Sequence, residues 1–364
     1  MITLYDIQTP AVLADLDQVD ANIQSLIEEN KRYGIAHRPH IKTHKSLYFA
    51  YRQLALGAMG VTCAKLGEAE VMARGGIREI LIAYPIIGEA KLKRLSALMD
   101  MAHVTTIVNS LPEAEGLSAL GESRGVPVEV LIDVDGGVRR GGMAPYEPTL
   151  AFAKSIGHLK GIRIVGLMYY GGAIYGENTR EGILQKARTE RDELTGTAEL
   201  LRQNGFDMRI LSAGSSYSSK MPEALQGITE SRAGHYLFND CAQLATNMAT
   251  EKECALTVLS TVLTLTDECH AIIDAGSKAL TSDLCKHRPG YGHVCGHPEL
   301  RIDHLNEEHG YLESDTPLPF HIGDVIRIIP NHCCVVTNLC DEIYGMRGDV
   351  FERMIPIEAR GKNA

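Results

Sequence analysis

The segment RPHIKTHK, residues 38–45, concentrates protonatable nitrogen within eight residues. Two histidines, His40 and His44, and two lysines, Lys42 and Lys45, are separated by one isoleucine and one threonine. Positive neighbours favour the neutral form of an amine, which can then act as a nucleophile or as a base. A basic segment that simply runs into the following helix would have the same composition. The rest of the sequence must therefore distinguish a reactive lysine from a basic segment without a catalytic role.

The composition excludes several classes of partner. The 364 residues are 45% hydrophobic and 23% charged, as in ordinary globular proteins. A formal net charge of −10 argues against nucleic acid or an anionic membrane as a partner. No apolar run approaches the roughly 20 residues of a membrane helix, and MITLYDIQTP lacks the features of a signal peptide. The nine cysteines follow no short-spaced disulfide pattern, so we expect reduced thiols and a cytoplasmic protein.

Strand-like and helical segments alternate through the first two thirds of the chain. The strand-like segments are HRPHIK, GVTCA, EILIAYPI, HVTTIVN, VEVLIDVD, IRIVGLMYY, MRILSAG and HYLFND. Several are nearly continuous apolar runs, which are typical of parallel strands buried on both faces. Eight strands with intervening helices predict a (β/α)8 TIM-type barrel over residues 12–248, in preference to an open doubly wound sheet.

The alternation of strand-like and helical segments ends at about residue 250. The segments ALTVLSTVLTLT, HAIIDAGSKAL and HIGDVIRIIPNHCCVVTNL are rich in β-forming residues and have few helical patterns. They predict a second, mostly antiparallel β domain over residues 249–364. The opening ITLYDIQTP is also strand-like, and we expect residues 1–11 to pair with this domain. The predicted fold class is therefore α/β, a barrel with an added β domain.

Chemistry in such barrels gathers where the strands end. Lys42 ends the first predicted strand, and LSAGSSYSS follows the seventh. The N–H groups of Gly214, Ser215 and Ser216 could cradle a phosphate there, although such a loop is often only a turn. A lysine and a phosphate cradle fit pyridoxal 5′-phosphate, which needs a Schiff-base lysine, a phosphate site and a group at its ring nitrogen.

Five segments together resemble the D-serine dehydratase/D-threonine aldolase family of alanine-racemase-like, fold-type III pyridoxal phosphate enzymes. They are TPAVLADLDQVDANI, RPHIKTHK, TCAKLGEAEVMARGG, DVDGGVRRGG and PELRIDHLNEEHG. The resemblance runs through nearly the whole chain, and RPHIKTHK is its most specific part. It implies that Lys42 is the Schiff-base lysine. It also implies a barrel with a β domain, and a homodimer whose active sites lie near the subunit contact.

The resemblance implies further cofactor contacts. Arg140 matches the arginine of the family segment D-x-G-x-x-R-x-G. Tyr170 or Tyr175 is expected at the pyridine nitrogen, with a packed aromatic as the alternative for each. The sequence AGSSYSS is less rich in glycine than the family's phosphate loop. That loop falls on Gly214, Ser215, Ser216, Gly234, His235 and Tyr236.

The segment PNHCCVVTNL carries a second group of reactive side chains. The family's β domain is expected to hold a metal through a His-x-Asp or a His-x-Cys pair, and the second type is similar to D-serine dehydratases. His332 and Cys334 match that pair, and we expect them on a strand, where residues i and i+2 share a face. A thiolate with an imidazole suits Zn²⁺, whereas a carboxylate would favour Mn²⁺ or Mg²⁺. Without the resemblance, a buried strand with ordinary thiols would explain the segment.

The segment YGHVCGHPELRIDHLNEEHG holds several potential metal ligands: His293, Cys295, His297, His304 and His309. A loop rich in surface histidines explains most of them better than a metal cluster does. His309 matches a family motif and remains a candidate for the substrate side of the site.

The segment MYYGGAIYG bears on the choice of reaction. D-threonine aldolases resemble GYxGH here, where the histidine is expected to act as a base, and this chain has Ala173 at that place. D-serine dehydratases of eukaryotes look like CGNSYG, and Tyr175 retains that tyrosine. The resemblance therefore implies a lyase that removes water from D-serine or a similar D-β-hydroxy amino acid, giving a 2-oxo acid and ammonia.

Three alternatives stay open. Aldolase cleavage to glycine and an aldehyde would need a base other than Ala173. A non-catalytic pyridoxal carrier would have no use for a β domain with a metal pair. A racemase would need a second acid/base group on the opposite face of the cofactor, and the sequence offers no convincing candidate.

Overall fold

The computed structural model describes residues 2–364, which form two compact units. The barrel unit comprises Ser25–Lys42, Ala50–Gly234 and Lys362–Ala364. The β-sheet unit comprises the residues up to Gln24, Thr43–Phe49 and His235–Gly361. Within the described part of the chain, no helix has both the length and the apolar character needed to cross a membrane.

A parallel sheet of eight strands organises the barrel unit. The first strand of the chain, β1 (Ala11–Asp15), belongs to the β-sheet unit. The barrel strands are β2 (Ala36–His37), β3 (Val61–Cys63), β4 (Glu79–Ile82), β5 (His103–Val108), β6 (Val128–Asp135), β7 (Ile162–Tyr170), β8 (Ile210–Ala213) and β9 (Glu230–Ser231). Strands β3 to β9 neighbour one another in chain order, and β2 pairs with β9. A parallel bridge between His40 and Thr62 closes the ring, so the predicted eight-stranded barrel is confirmed.

Helices alternate with these strands. They are α1 (Leu16–Arg32), α2 (Leu47–Ala55), α3 (Leu66–Arg74), α4 (Glu89–Met99), α5 (Leu111–Arg124), α6 (Glu147–Ile156) and α7 (Arg180–Gln203). Helix α7 begins after Thr179, whose hydroxyl accepts the N–H of Gly182. Its apolar residues recur at helical spacing and are buried, as expected for a helix that covers a sheet.

The barrel strands end in two places that local pattern does not predict. Strand β2 stops at His37, and Lys42 lies in a 3-10 helix, Ile41–Thr43, rather than at a strand end. Pro39 contributes to this difference because it has no N–H to donate to a sheet. The strand predicted over HYLFND is wrong, since β9 ends at Ser231 and His235–Leu237 form a 3-10 helix. A short buried apolar run has no periodicity that separates a strand from a helical turn.

The β-sheet unit contains nine strands. Besides β1 they are β10 (Leu256–Leu265), β11 (His270–Ile273), β12 (His293–Val294), β13 (Arg301–Leu305), β14 (Gly310–Glu313), β15 (Val325–Ile329), β16 (Glu342–Arg347) and β17 (Val350–Pro356). Their order is β13-β14-β11-β10-β1-β16-β17, and β15 pairs with β10 and β12. Only the β1–β16 pair is parallel among these strands, so the prediction of a mostly antiparallel sheet is confirmed.

Three short helices also belong to this unit: α8 (Cys241–Ala245), α9 (Ser277–Leu280) and α10 (Cys333–Leu339). Helix α10 contradicts the strand expected over HCCVVTNL. Strand β15 stops before Pro330, which cannot donate to a ladder, and the chain then turns into α10 after His332. The opening segment also differs from the expected strand, because it forms a 3-10 helix at Leu4–Asp6 with a single bridge from Thr3 to Val350.

We predict that Gly166 is required for the packing of β7. It lies where the register between β6 and β7 shifts, and a Cβ atom there would lie 1.8 Å from the carbonyl oxygen of Ile210 in β8. Gly166→Ala should lower the free energy of unfolding by roughly 3 kcal/mol, because neighbouring strands must separate. Urea unfolding followed by circular dichroism measures this. The control is Arg163→Ala on the same strand, whose side chain is 58% exposed, with an expected change of about 1 kcal/mol or less. Equal losses in both variants would contradict the prediction.

Candidate active site

Three cations gather where the barrel strands end. Lys42 lies in the 3-10 helix after β2, Arg140 in the loop after β6, and Arg232 directly after β9. Burial, together with the positive charges of these residues, holds the pKa of His40 well below its usual range. His40 Nδ1 is buried and has no hydrogen-bond partner among residues 2–364. The mouth of the barrel is therefore electropositive and contains a neutral imidazole.

Arg232 is fixed by hydrogen bonds on both of its terminal nitrogens. Nη1 donates to Ser212 Oγ and Nη2 donates to the carbonyl oxygen of Tyr169, each at 2.8 Å. Although burial disfavours its charge, the carboxylates of Glu230 and Asp133 oppose that effect. Our sequence predictions did not include Arg232. Its position immediately after the eighth strand was the available signal, and misplacing that strand hid it.

Asp133 on β6 is the acidic counterpart of this cluster. Burial raises its pKa to about 6, although Arg232, Arg140 and a hydrogen bond with Asn109 act in the opposite direction. A half-buried carboxyl with this pKa can gain or lose a proton near neutral pH. Asp133 was also missing from the sequence predictions.

The two candidate tyrosines make different aromatic contacts. The guanidinium carbon of Arg140 lies 3.8 Å from the centroid of the Tyr170 ring, a cation–π geometry. The ring of Tyr175 packs on the ring of Tyr217, with centroids 5.1 Å apart. Tyr217 belongs to the loop after β8, so Tyr175 is tied to that loop and Tyr170 to the loop after β6.

The loop after β8 begins with a glycine in a backbone conformation that other residues rarely adopt. Gly214 has φ +85°, and a Cβ atom there would lie 2.6 Å from Ser219 Oγ. Its N–H donates to Glu190 Oε1 at 2.8 Å, and the N–H of Ser215 donates to Ser218 Oγ at 2.8 Å. Two of the three backbone donors that we expected to cradle a phosphate are therefore engaged by side chains of the protein.

One buried hydroxyl beside this loop remains available to an anion. Ser219 Oγ is buried and has no hydrogen-bond partner within the described chain. The N–H of Gly234 donates to Ser216 Oγ at 3.3 Å, a long contact. Of the other residues predicted for the phosphate, His235 and Tyr236 lie in the β-sheet unit. Glu190 supports the loop from α7, and nothing in its helical pattern distinguished it in the sequence.

The His332 and Cys334 pair lies at the start of α10 in the β-sheet unit. His332 immediately precedes the helix, and Cys334 is its second residue. His332 Nδ1 lies 3.2 Å from Asp283 Oδ2, and Cys334 Sγ lies 3.2 Å from Thr43 Oγ1. Across residues 2–364, no three His, Cys, Asp or Glu side chains form a group that could hold a metal. A metal at this pair would therefore keep open positions for water or substrate.

The pair is polarised toward a thiolate and an imidazolium. Hydrogen bonds from Cys333 and His332 lower the pKa of Cys334 well below its usual range, against the opposing effect of burial. Burial also opposes charge on His332, but the hydrogen bond and charge of Cys334, with nearby carboxylates, raise the pKa of His332 to about 9. A divalent cation would replace the imidazolium proton. The thiolate and imidazole donors fit a borderline metal such as Zn²⁺.

A buried carboxylate sets the position of α10. Asp240 Oδ1 accepts the N–H of Ala242 at the start of α8, and Oδ2 accepts the N–H of Cys333 at the start of α10. The ring of His235 lies near the pair, with its centroid 6.4 Å from that of His332. His235 and His332 therefore lie near each other within one unit.

The histidine-rich segment is not brought together as one site. His293 is buried between Arg288, 2.8 Å from Nδ1, and Glu251, 2.7 Å from Nε2. The ring of His304 meets that of Tyr311 edge to face, with centroids 5.1 Å apart, and both His304 and His309 are exposed. The expected loop of surface histidines therefore fits His304 and His309, whereas His293 is buried and does not fit it.

Comparison with known proteins agrees with this architecture. Residues 14–241 match the family model described as "Alanine racemase, N-terminal domain", and residues 255–346 match that described as "Putative serine dehydratase domain". D-threonine aldolase of Arthrobacter sp. is 32% identical over 98% of this chain and 94% of its own length. D-threo-3-hydroxyaspartate dehydratase of Delftia sp. (strain HT23) is 33% identical over 91% and 92%.

The chain belongs to the D-serine dehydratase/D-threonine aldolase family. The solved D-threo-3-hydroxyaspartate dehydratase, as a Cys→Ala variant in the metal-free form, superposes with a TM-score of 0.91 at 30% identity, covering 98% of this chain and 99% of that one. A His→Ala variant of the same enzyme, changed two positions earlier in its chain, superposes with a TM-score of 0.90 at 30% identity, covering 98% and 96%. Aldolase and dehydratase relatives match this family member almost equally, so overall identity does not separate the two reactions.

The barrel mouth of this family member fits an anionic ring cofactor. Three cations converge there, and His40 Nδ1 and Ser219 Oγ are among the buried polar atoms that have no hydrogen-bond partner within residues 2–364. Such atoms are costly unless a ligand or water satisfies them. The phosphate of pyridoxal phosphate would balance the charge of these cations, and the hydroxyl of Ser219, which has no partner in the described chain, is a hydrogen-bond donor for it.

We predict that Asp133 makes stability depend on pH. The raised pKa means that the folded state binds the proton more tightly than the unfolded state, so folding carries a cost above pH 6 that disappears below about pH 4. Asp133→Asn removes this cost. The variant should gain stability relative to the wild type as pH rises from 4 to 7, by up to about 3 kcal/mol. Urea unfolding at several pH values measures the difference, and a difference that stays constant across this range would refute the prediction.

Proposed function

We propose that the protein is a pyridoxal phosphate- and metal-dependent lyase that removes water from a D-β-hydroxy amino acid, giving a 2-oxo acid and ammonia. The observation that carries the choice of reaction is the polarised pair of His332 and Cys334. Its spacing equals that of the histidine and the cysteine replaced in the solved dehydratase variants. A thiolate ligand distinguishes it from the His-x-Asp type that aldolases resemble.

The barrel unit supplies the cofactor site in this proposal. Lys42 binds the cofactor covalently, and the groups around Ser216, Ser219 and Gly234 take its phosphate. Arg140 and Arg232 balance its negative charge. When bound, pyridoxal phosphate supplies an electron sink for the electron pair that remains at Cα when the Cα–H bond breaks.

Two groups of the chain then act on the substrate. The substrate's amino group would displace Lys42 from the cofactor, and the freed amine of Lys42 would take the proton from Cα. As the bond between Cβ and the hydroxyl oxygen breaks, this proton would pass to the departing hydroxyl, which leaves as water. His332 and Cys334 hold a divalent metal, proposed to be Zn²⁺, which supplies Lewis-acid assistance to the departing hydroxyl. Hydrolysis of the unsaturated product yields the 2-oxo acid and ammonia.

Aldolase cleavage to glycine and an aldehyde is the second candidate. It is favoured by the D-threonine aldolase of Arthrobacter sp., which matches 98% of this chain. Ala173, which lies in the 3-10 helix Gly172–Gly176, has no group that could take a proton from the β-hydroxyl. We therefore place dehydration first.

We propose a homodimer that works in the cytoplasm on a small D-amino acid and has neither nucleic acid nor membrane as a partner. The family resemblance supports the dimer. The net charge of −10 supports the absence of polyanionic partners.

We predict that product analysis will separate the two reactions. The purified protein with pyridoxal phosphate and Zn²⁺ should convert D-serine, D-threonine or D-threo-3-hydroxyaspartate to a 2-oxo acid and ammonia. A chelator should abolish this activity, and added Zn²⁺ should restore it. Glycine with an aldehyde as the only products would establish the aldolase in its place.

We predict that Lys42 alone among the lysines at the barrel mouth retains the cofactor. Lys42→Ala should lose the visible absorbance that survives gel filtration, because no amine remains for covalent attachment. The matched control is Lys65→Ala. Lys65 follows β3, and its Nζ atom lies 3.4 Å from the centroid of the Tyr84 ring. Retention of the absorbance in Lys42→Ala, or its loss only in Lys65→Ala, would overturn the assignment.

A further inference from the structure

Each proposed metal ligand is held by one further polar side chain that the sequence predictions did not include. We propose that Asp283 is a positioning residue for His332 and that Thr43 is a positioning residue for Cys334. Together they set the metal affinity of the pair. This inference rests on the proposed function, because it takes His332 and Cys334 as the metal ligands.

Asp283 determines which nitrogen of His332 is available. Its Oδ2 atom lies 3.2 Å from Nδ1 of the imidazole. A neutral imidazole that donates its Nδ1 hydrogen to a carboxylate presents Nε2 as the lone-pair donor. The contact therefore assigns Nε2 as the metal-binding atom and orients the ring around it.

The position of Asp283 is itself determined by the residue before His332. Asn331 Nδ2 donates to the carbonyl oxygen of Asp283 at 3.0 Å and to that of Gly290 at 2.8 Å. Asn331 is buried, so both ends of the segment 283–290 are attached to the chain beside the metal pair. Thr281 adds a further constraint, since its hydroxyl accepts the N–H of Asp283 at 3.1 Å. These bonds fix the backbone of Asp283 beside His332, and the half-exposed carboxylate reaches the imidazole from there.

Thr43 plays the corresponding part for the thiol. Its hydroxyl oxygen lies 3.2 Å from Cys334 Sγ, and its carbonyl oxygen accepts a hydrogen bond from the hydroxyl of Thr337. Thr337 also lies 3.1 Å from the carbonyl oxygen of Cys334, one helical turn earlier. Both threonines are fully buried. A hydroxyl that donates to a thiolate stabilises its charge and restricts its direction.

This contact explains a residue of the opening motif that the catalytic proposal leaves without a role. Thr43 follows Lys42 in the chain, and both belong to the 3-10 helix Ile41–Thr43. The threonine hydroxyl serves the thiol ligand, while the lysine serves the cofactor. The motif RPHIKTHK therefore contributes to both proposed sites with consecutive residues.

The test measures metal affinity on the holoenzyme. Zn²⁺ dissociation constants are obtained by competition with a chromophoric chelator for the wild type and for Asp283→Ala, Asp283→Asn, Thr43→Val and Thr43→Ser. Loss of a group that orients a metal ligand typically weakens binding about 10–100-fold, which is the expectation for Asp283→Ala and Thr43→Val. Thr43→Ser keeps the hydroxyl and should bind within about threefold of the wild type, and Asp283→Asn should fall between the wild type and the alanine variant.

Asp267→Ala is the matched control. Asp267 lies 2.8 Å from Nδ1 of His270 in the same unit, so it makes the same kind of contact to a histidine that we do not propose as a ligand. Its replacement should leave Zn²⁺ affinity unchanged. Co²⁺ substitution gives a second readout, since the absorption band from thiolate to metal should shift in Thr43→Val and stay unchanged in Thr43→Ser and Asp267→Ala.

The outcomes are distinguishable. Wild-type affinity in Asp283→Ala, or equal weakening in Asp267→Ala, would overturn the role of Asp283, and equal affinities in Thr43→Val and Thr43→Ser would overturn that of Thr43. If Asp283→Ala does not fold, the Zn²⁺ affinity of Asp283→Asn, compared with that of the wild type, tests the role of Asp283. If Thr43→Val does not fold, the Co²⁺ absorption band of Thr43→Ser tests the role of Thr43. Unchanged affinity in Asp283→Asn, or a shifted band in Thr43→Ser, would then count against the proposal.

Controls with His332→Ala and Cys334→Ala separate this inference from the proposed reaction. If both bind Zn²⁺ as the wild type does, the ligand pair and this inference fail together. If the affinities change as expected but no tested substrate reacts, only the proposed reaction fails.

Discussion

The common direction of the eight barrel strands is the constraint on which the candidate cofactor site depends. Parallel strands in a closed ring end at the same mouth, so side chains that follow different strands must meet there. Lys42, Arg140 and Arg232 are far apart in sequence, and ring closure through His40 and Thr62 brings them to one electrostatic environment.

Burying several cations at one end of the barrel is unfavourable unless other groups of the protein compensate their charge. It does so with carboxylates on the strands themselves, notably Asp133 and Glu230, and with neutral acceptors such as the carbonyl oxygen of Tyr169. The remaining positive character and the buried polar atoms without protein partners suit an anionic ligand. Charge balance, and not shape alone, therefore specifies what this mouth can bind.

The β-sheet unit presents a thiolate and an imidazole, those of Cys334 and His332, from positions two residues apart in the chain. A strand would place His332 and Cys334 on one face, but the structure begins a helix there. Asp240 joins the starts of α8 and α10, and hydrogen bonds to Thr43 and Asp283 aim the two donors. The direction of the two side chains thus comes from contacts around the helix start and not from strand periodicity.

The sequence alone determined most of the barrel. Mostly apolar runs such as Val128–Asp135 and Ile162–Tyr170 coincide with β6 and β7 at both ends, because burial on two faces leaves a strong local pattern. The family motifs around Lys42 and His332 were also visible, because they are runs of adjacent residues.

The tertiary structure decided the features that depend on distant partners. Strand β9 has only two residues and no local pattern, so its end at Ser231, directly before Arg232, was not visible. Thr43 and Cys334 are separated by 291 positions, and no periodicity relates them. The pKa shift of Asp133 likewise comes from burial and from residues on other strands. The propensity for helix or strand depends on neighbouring residues in the chain. The protonation, contacts and solvent exposure of a side chain instead depend on residues that only folding brings together.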